Sequence, residues 1–233
     1  MIQIVSPHID DAFLSIGGLI HRLTGGDRIQ VVYVFSISNW TNPDNLAGIS
    51  PGNDTSIVTE IRKREEEQLR RMAGHECRFL DLLDGPLRPC HDPVAEDALC
   101  RGLENTLTDI FGEEDACFFP VCDLHPDHGI VNRVGRSLLA RGYPVCFYED
   151  LPYMAFAKCN HRQLLDRLCG DGFIPQLLPV DMDRKLAALM TYKSQISEEW
   201  LNYVKTYGYN LPDNKYYERI WKPSSYSVDF TLK

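Results

Sequence analysis

Apolar and polar positions alternate in blocks along the chain. Short runs rich in β-branched and aromatic residues, IQIV (2–5), IQVVYVF (29–35), CRFLDLL (77–83), ACFFPV (116–121) and PVCFYE (144–149), read as strands. Longer helical stretches lie between them, over 12–23, 56–72 with Gly74 just past its end, 93–111 and 126–141. Three more helices are expected near 160–169, 183–192 and 197–207. Strands alternating with helices build βαβ units, so an α/β fold with a mainly parallel sheet is expected. The segment SNWTNPDNLAGISPGNDT (38–55), rich in Asn, Gly, Pro and Ser, reads as a long loop, and KPSSYSVDFTLK (222–233) suits either a late edge strand or a loose tail.

Composition narrows the picture. A chain of 233 residues, 44% of them hydrophobic, can bury a real core, and nothing marks a boundary within it, so one domain over 1–233 is expected. The net charge of -9 and pI near 5.2 argue against nucleic acid or an anionic membrane surface as partner. The start MIQIV has no basic leader, and nowhere do 18 apolar residues run together, so a cytoplasmic chain without membrane insertion is expected. Eight scattered cysteines without a CxxC pair suit reduced core thiols.

Open parallel sheets bind ligands outside the carboxyl ends of their strands. After the five expected strands come SPHIDD, SISNW, an LDG turn with Asp84, CDLHPDH and EDLPY, so five turns gather polar residues at one edge. Two of them stand out: His8-x-x-Asp11 and His125-x-x-His128. Either alone is an ordinary helix start, because Asp favours the cap and Pro the first helical position. Together they place imidazoles and carboxylates at two strand ends, and the adjacent acids Asp10 and Asp11 repel unless something positive answers them. Such ligands suit Zn²⁺ or a similar divalent ion, and a catalytic zinc takes three protein ligands. The spacing in HPDH leaves its two histidines interchangeable.

At PHIDD (7–11) and HPDH (125–128) the sequence resembles the PIG-L (LmbE-like) family of metal-dependent N-acetylglucosaminyl deacetylases. Weaker similarity runs through RKREEEQLRRMAG (62–74), LDLLDG (80–85), FYEDLPY (147–153) and YKSQ (192–195). The resemblance implies a three-layer Rossmann-like fold with the site at the C-terminal strand ends. It also implies a zinc-dependent hydrolase that removes an acetyl group from an N-acetylglucosamine-type amino sugar or its conjugate. His8, Asp11 and His128 would be the metal ligands, Asp10 the general base, and His125 would face the substrate carbonyl with Asp127 beside it to tune or orient it. Arg62 and Asp84 fall where family members contact sugar hydroxyls. Two departures stand out: Ala12 replaces a common Glu, and Asp123-Leu124 stands where some members carry an oxyanion-binding Tyr.

In that chemistry the metal activates water, Asp10 moves its proton to the leaving nitrogen, and His125 as imidazolium would stabilise the oxyanion. Trp40, Tyr148 and Tyr153 are available to stack on a sugar ring, while Cys122 reads as a spectator because three ligands are already present. A phosphoesterase would want bridging carboxylates and a phosphate cradle, and a non-catalytic sugar-binding relative would be expected to lack Asp10 or a ligand. The expected partner is therefore a small amino-sugar substrate.

Overall fold

The computed structural model describes residues 1–26, 28–42, 54–89, 92–121, 124–156, 160–226 and 230. Five strands are parallel: β1 (Ile2–Ser6), β2 (Ile29–Tyr33), β3 (Glu76–Phe79), β4 (Ala116–Pro120) and β5 (Val145–Tyr148). They lie side by side in the order β3-β2-β1-β4-β5. Every residue of β1, β4 and β5 is buried, which is why these segments read as unbroken apolar runs rather than alternating ones. Residues such as Val5, Val31 and Phe118 are fully enclosed, each contributing roughly 1.5–3 kcal/mol by leaving water.

The helices are α1 (Asp11–Leu23), α2 (Thr55–Ala73), α3 (Pro93–Ile110), α4 (Pro126–Ala140), α5 (His161–Gly170), α6 (Met182–Leu189) and α7 (Glu198–Gly208), close to the expected spans. Gly74 closes α2 in the left-handed conformation, φ 81°, that glycine adopts without strain. Gly135 serves a different need. A Cβ there would sit 2.6 Å from the Phe119 ring, so its absence lets α4 lie close on β4.

The C-terminal third differs from expectation. β6 (Phe173–Pro179), β7 (Tyr209–Asn210) and β8 (Lys215–Pro223) extend the sheet, with β8 antiparallel to both β5 and β6. β6 carries Pro175 and Pro179, which a strand tolerates at the sheet edge where β6 lies. Of the last segment, Lys222 and Pro223 finish β8. Phe230 is buried against Phe118 with ring centroids 5.2 Å apart. Most of the expected 38–55 loop lies outside the described residues. Among the described residues no helix is long and apolar enough to cross a membrane.

The strand order reverses direction between β1 and β4. Connections leave β1 toward β2 and β3 on one side, and β4 runs on to β5 on the other. A crevice opens at such a switch point, and the two histidine motifs follow these two strands.

Candidate metal centre and active site

At the first motif a serine takes the place of Asp10 in holding the start of α1. Asp10 occupies the cap position of α1 yet makes no side-chain cap hydrogen bond. Instead the Ser6 hydroxyl accepts the Ala12 N–H at 3.0 Å and donates to the His8 carbonyl at 2.6 Å. Both carboxylates are thereby released from the ordinary work of an acid at a helix start. Asp11 Oδ2 accepts the His8 backbone N–H at 2.8 Å and meets His8 Nδ1 at 3.0 Å and His128 Nε2 at 3.1 Å. Asp10 turns the other way, where Arg62 Nη2 donates to its Oδ1 at 3.1 Å.

In the second motif the two histidines divide. His125 caps α4, its Nδ1 accepting the Asp127 N–H at 3.2 Å, and Pro126 takes the first helical position. That bond requires an unprotonated Nδ1, which leaves a proton on Nε2. Burial and the neighbouring His8 and His128 push the His125 pKa down to about 4, so the ring is neutral. The imidazolium expected from sequence is replaced by a neutral Nε2–H donor, since the added cation would face two other positive groups.

His128 is fully buried, and its Nδ1 lies 2.8 Å from Asp150 Oδ2, while Asp150 Oδ1 accepts the Val121 N–H at 3.1 Å. His8 is held in the same manner: its Nε2 lies 3.0 Å from Asp127 Oδ2, and that carboxylate also accepts the Gly85 N–H and pairs with Arg88. Asp127, expected to tune or orient His125, opposes by its charge the fall that burial imposes on the ring's pKa. Its backbone N–H orients that ring, while its carboxylate orients His8.

The far nitrogens being occupied, His8 Nδ1, Asp11 Oδ2 and His128 Nε2 converge, three buried donors of the type that holds a divalent ion. His128 Nε2 and His8 Nδ1 both face the same Asp11 oxygen, at 3.1 and 3.0 Å. Burial disfavours charge on both rings, but Asp11 and the second carboxylates raise His8 to about 9 and His128 to about 10. Asp11 also loses solvation by burial, and the His128 and His8 charges still hold it well below the usual carboxylate range. The field at this point favours positive charge, for which protons and a metal ion compete. A second grouping, His8, His125 and Asp127, is also close enough to chelate. It suits an ion less well, because His125 Nδ1 and the Asp127 carboxylate already have partners.

A cavity of about 220 Å³ opens over these groups, floored by His8, Asp10 and Asp11 and flanked by Arg62, Asp84 and His125. The Asp84 Oδ1 atom is buried without a hydrogen bond. Of the three aromatics singled out, Trp40 and Tyr153 line the cavity. Tyr148 does not: it is fully buried and donates its hydroxyl to the Val5 carbonyl at 2.9 Å, because it ends a strand enclosed on both faces. Cys122 lies outside the described residues.

The family model for PIG-L, GlcNAc-PI de-N-acetylase, matches residues 3–139, more than half of the chain, and takes in both motifs. The chain belongs to the PIG-L family. Two curated relatives are 2'-N-acetylparomamine deacetylases. The one from Streptomyces fradiae is 30% identical over 64% of this chain, a match spanning 56% of the relative's own length. The one from Niallia circulans is 26% identical over 82% of this chain and 79% of its own. The solved structure of the zinc-inhibited form of teicoplanin deacetylase Orf2 superimposes with a TM-score of 0.74 over 97% of this chain and 99% of that one. At 20% identity that match bears on the fold, α/β with a mainly parallel sheet.

Within this PIG-L site, sequence reasoning missed Asp150, Arg88 and Ser6. Asp150 stood in EDLPY at an expected strand end, which was signal enough to place it near the crevice but not to assign it a partner. Nothing in the sequence singles out Ser6 or Arg88.

Proposed function

We propose that this chain is a metal-dependent N-deacetylase that hydrolyses the acetamido group of an N-acetylglucosamine-type amino sugar or its conjugate. The observation that carries the proposal is the pair Asp10 and Asp11, whose cap duty Ser6 has taken over, one facing the converging imidazoles and the other the cavity. His8, Asp11 and His128 are the residues that would hold the ion, and zinc is our choice because two imidazoles and a carboxylate match its preferred ligands. When bound there, a divalent ion supplies Lewis acidity that polarises an amide carbonyl and acidifies water.

The rest of the reaction falls to the chain itself. Burial raises the Asp10 pKa and the Arg62 charge opposes the rise, which makes this carboxylate a stronger base than an exposed one. Its Oδ1 is held by Arg62, which fixes the direction from which the proton arrives. The same residue, once protonated, hands that proton to the departing nitrogen. His125 Nε2–H donates to the carbonyl oxygen as negative charge develops there, a contact that strengthens toward the transition state. Asp84 Oδ1 and the Arg62 Nε–H, both buried without a protein partner, remain for sugar hydroxyls. A cytoplasmic location is part of this reading, supported by the free thiols of Cys77, Cys100, Cys117, Cys146 and Cys169.

Purified, zinc-loaded protein should release acetate and free amine in equal amounts from members of a panel of N-acetylated amino sugars. Asp10→Asn should keep the metal and lower kcat by roughly 10² or more. No acetate from any member of the panel with metal bound would refute the activity, and near-normal turnover by Asp10→Asn would move the base elsewhere.

A further inference from the structure

Arg62 apart, the stretches RKREEEQLRRMAG and YKSQ have no place in the chemistry described so far, yet they meet in space. Glu66 Oε2 accepts the Tyr192 hydroxyl and its Oε1 lies 2.7 Å from His75 Nε2, with all three residues buried. These bonds lock α2 onto the turn between α6 and α7. One residue earlier, Glu65 Oε1 accepts the Ser194 N–H at 2.8 Å and Oε2 accepts the Ser194 hydroxyl at 2.6 Å. Both oxygens accept, so Glu65 is held as a carboxylate.

The place of Glu65 on α2 gives this contact a consequence. Arg62 and Glu65 are three residues apart on one helix, a spacing at which opposite charges ordinarily pair. The other arginines of α2 do so: Arg64 pairs with Glu60, and Arg70 and Arg71 pair with Glu67. Arg62 instead reaches off the helix to Asp10, and its Nε is buried without a hydrogen bond. Glu65 is close enough to matter. Burial pushes its pKa up, the Ser194 hydrogen bonds and the Arg62 charge oppose the rise, and Asp10 adds to it.

We propose that Ser194 is a positioning residue of the active site: by occupying both oxygens of Glu65 it keeps that carboxylate off Arg62 and leaves the guanidinium to Asp10. The proposal rests on the deacetylase reading for the role of Asp10. Without the serine hydroxyl, Oε1 still accepts the Ser194 backbone N–H, and Oε2 is left to take the Arg62 Nε–H. That is the pairing the neighbouring arginines adopt. Arg62 then turns from Asp10, and the base loses the contact that fixes its direction.

The test compares wild type, Ser194→Ala, Glu65→Gln and the double variant, each metal-loaded and checked for folding by thermal unfolding. In crystal structures Arg62 should contact Glu65 in Ser194→Ala and Asp10 in the other three. With an N-acetylated amino sugar, Ser194→Ala should lose roughly tenfold or more in kcat/KM, the scale of a misplaced catalytic group. Removing the competing charge should rescue it: the double variant should return to within about threefold of Glu65→Gln alone, a coupling that independent sites do not show. A serine that merely supports the fold would leave the double variant no faster than Ser194→Ala. If Ser194→Ala does not fold, Glu65→Asp, which keeps the charge but is one methylene shorter toward Ser194, should equally draw Arg62 from Asp10. Arg62 staying on Asp10 in these variants, or an unrescued double variant, would overturn the proposal. Arg62 moving as expected while even the wild type releases no acetate would leave the positional role standing and remove the deacetylase reading.

Discussion

Two clusters of buried charge sit along α1, one at its N-terminus and one at its break near Ile16, and they differ in what is left over. Behind the helix, Lys185 and Glu218 pair at 2.8 Å with both side chains 2% exposed. α1 is broken at Ile16, and Glu218 takes the N–H groups of Gly18 and Leu19 just past the break, while Lys185 donates to the Ser15 carbonyl. The cluster repairs a helix, and its hydrogen bonds turn inward on the protein. In front, the site cluster of His8, Asp10, Asp11, Arg62 and His128 is as deeply buried, yet Arg62 Nε and the nearby Asp84 Oδ1 have no hydrogen-bond partner. Buried charge by itself is weak evidence of function. Polar atoms held in place and left open distinguish the functional cluster from the structural one.

The comparison breaks first at Lys185. Lys185→Met leaves Glu218 buried and unpaired, so it should destabilise the fold by about 3–5 kcal/mol in denaturant unfolding while the folded fraction still binds metal. Loss of metal at equal folding would mean that the rear cluster belongs to the site. Asp150→Asn is the converse case. It removes the charge that holds His128 Nδ1, and the expected loss is 10- to 100-fold in metal affinity, read by competition with a chelator, with a smaller change in stability.

The smallest effect expected is a shift along the pH axis. Burial raises the Asp10 pKa and Arg62 opposes the rise, so removing the cation raises it further. Asp10 must be ionised to act as base, and its ionised form then appears only at higher pH. Arg62→Met should therefore move the acid limb of kcat/KM upward. An unmoved limb would confine Arg62 to substrate contacts.

The parallel half of the sheet and the two motifs could be read from the sequence because both are local patterns. Strands enclosed on two faces announce themselves as apolar runs, and PHIDD and HPDH each lie within a single turn. What could not be read depends on contacts across the chain. Asp10 and Asp11 are as good caps as Ser6 by residue type, and only the backbone path between β1 and α1 chooses the serine. Asp127 is two residues from His125 in sequence but its carboxylate meets His8, 119 residues away. Tyr148 sits beside EDLPY in sequence, yet its place in the buried β5 turns it to the core. β6 and β8 mix proline, charge and aromatics, and their strand character comes from pairing with each other.

The central claim is that His8, Asp11 and His128 bind the metal while His125 acts on the carbonyl, and the alternative grouping of His8, His125 and Asp127 makes it decidable. The measurement is metal content together with kcat on His128→Ala and His125→Ala purified side by side. His128→Ala should lose metal and activity together, whereas His125→Ala should retain a stoichiometric ion and lose roughly 10²–10³ in kcat. An empty His125→Ala beside a metal-filled His128→Ala would contradict the assignment and hand the centre to the other cluster.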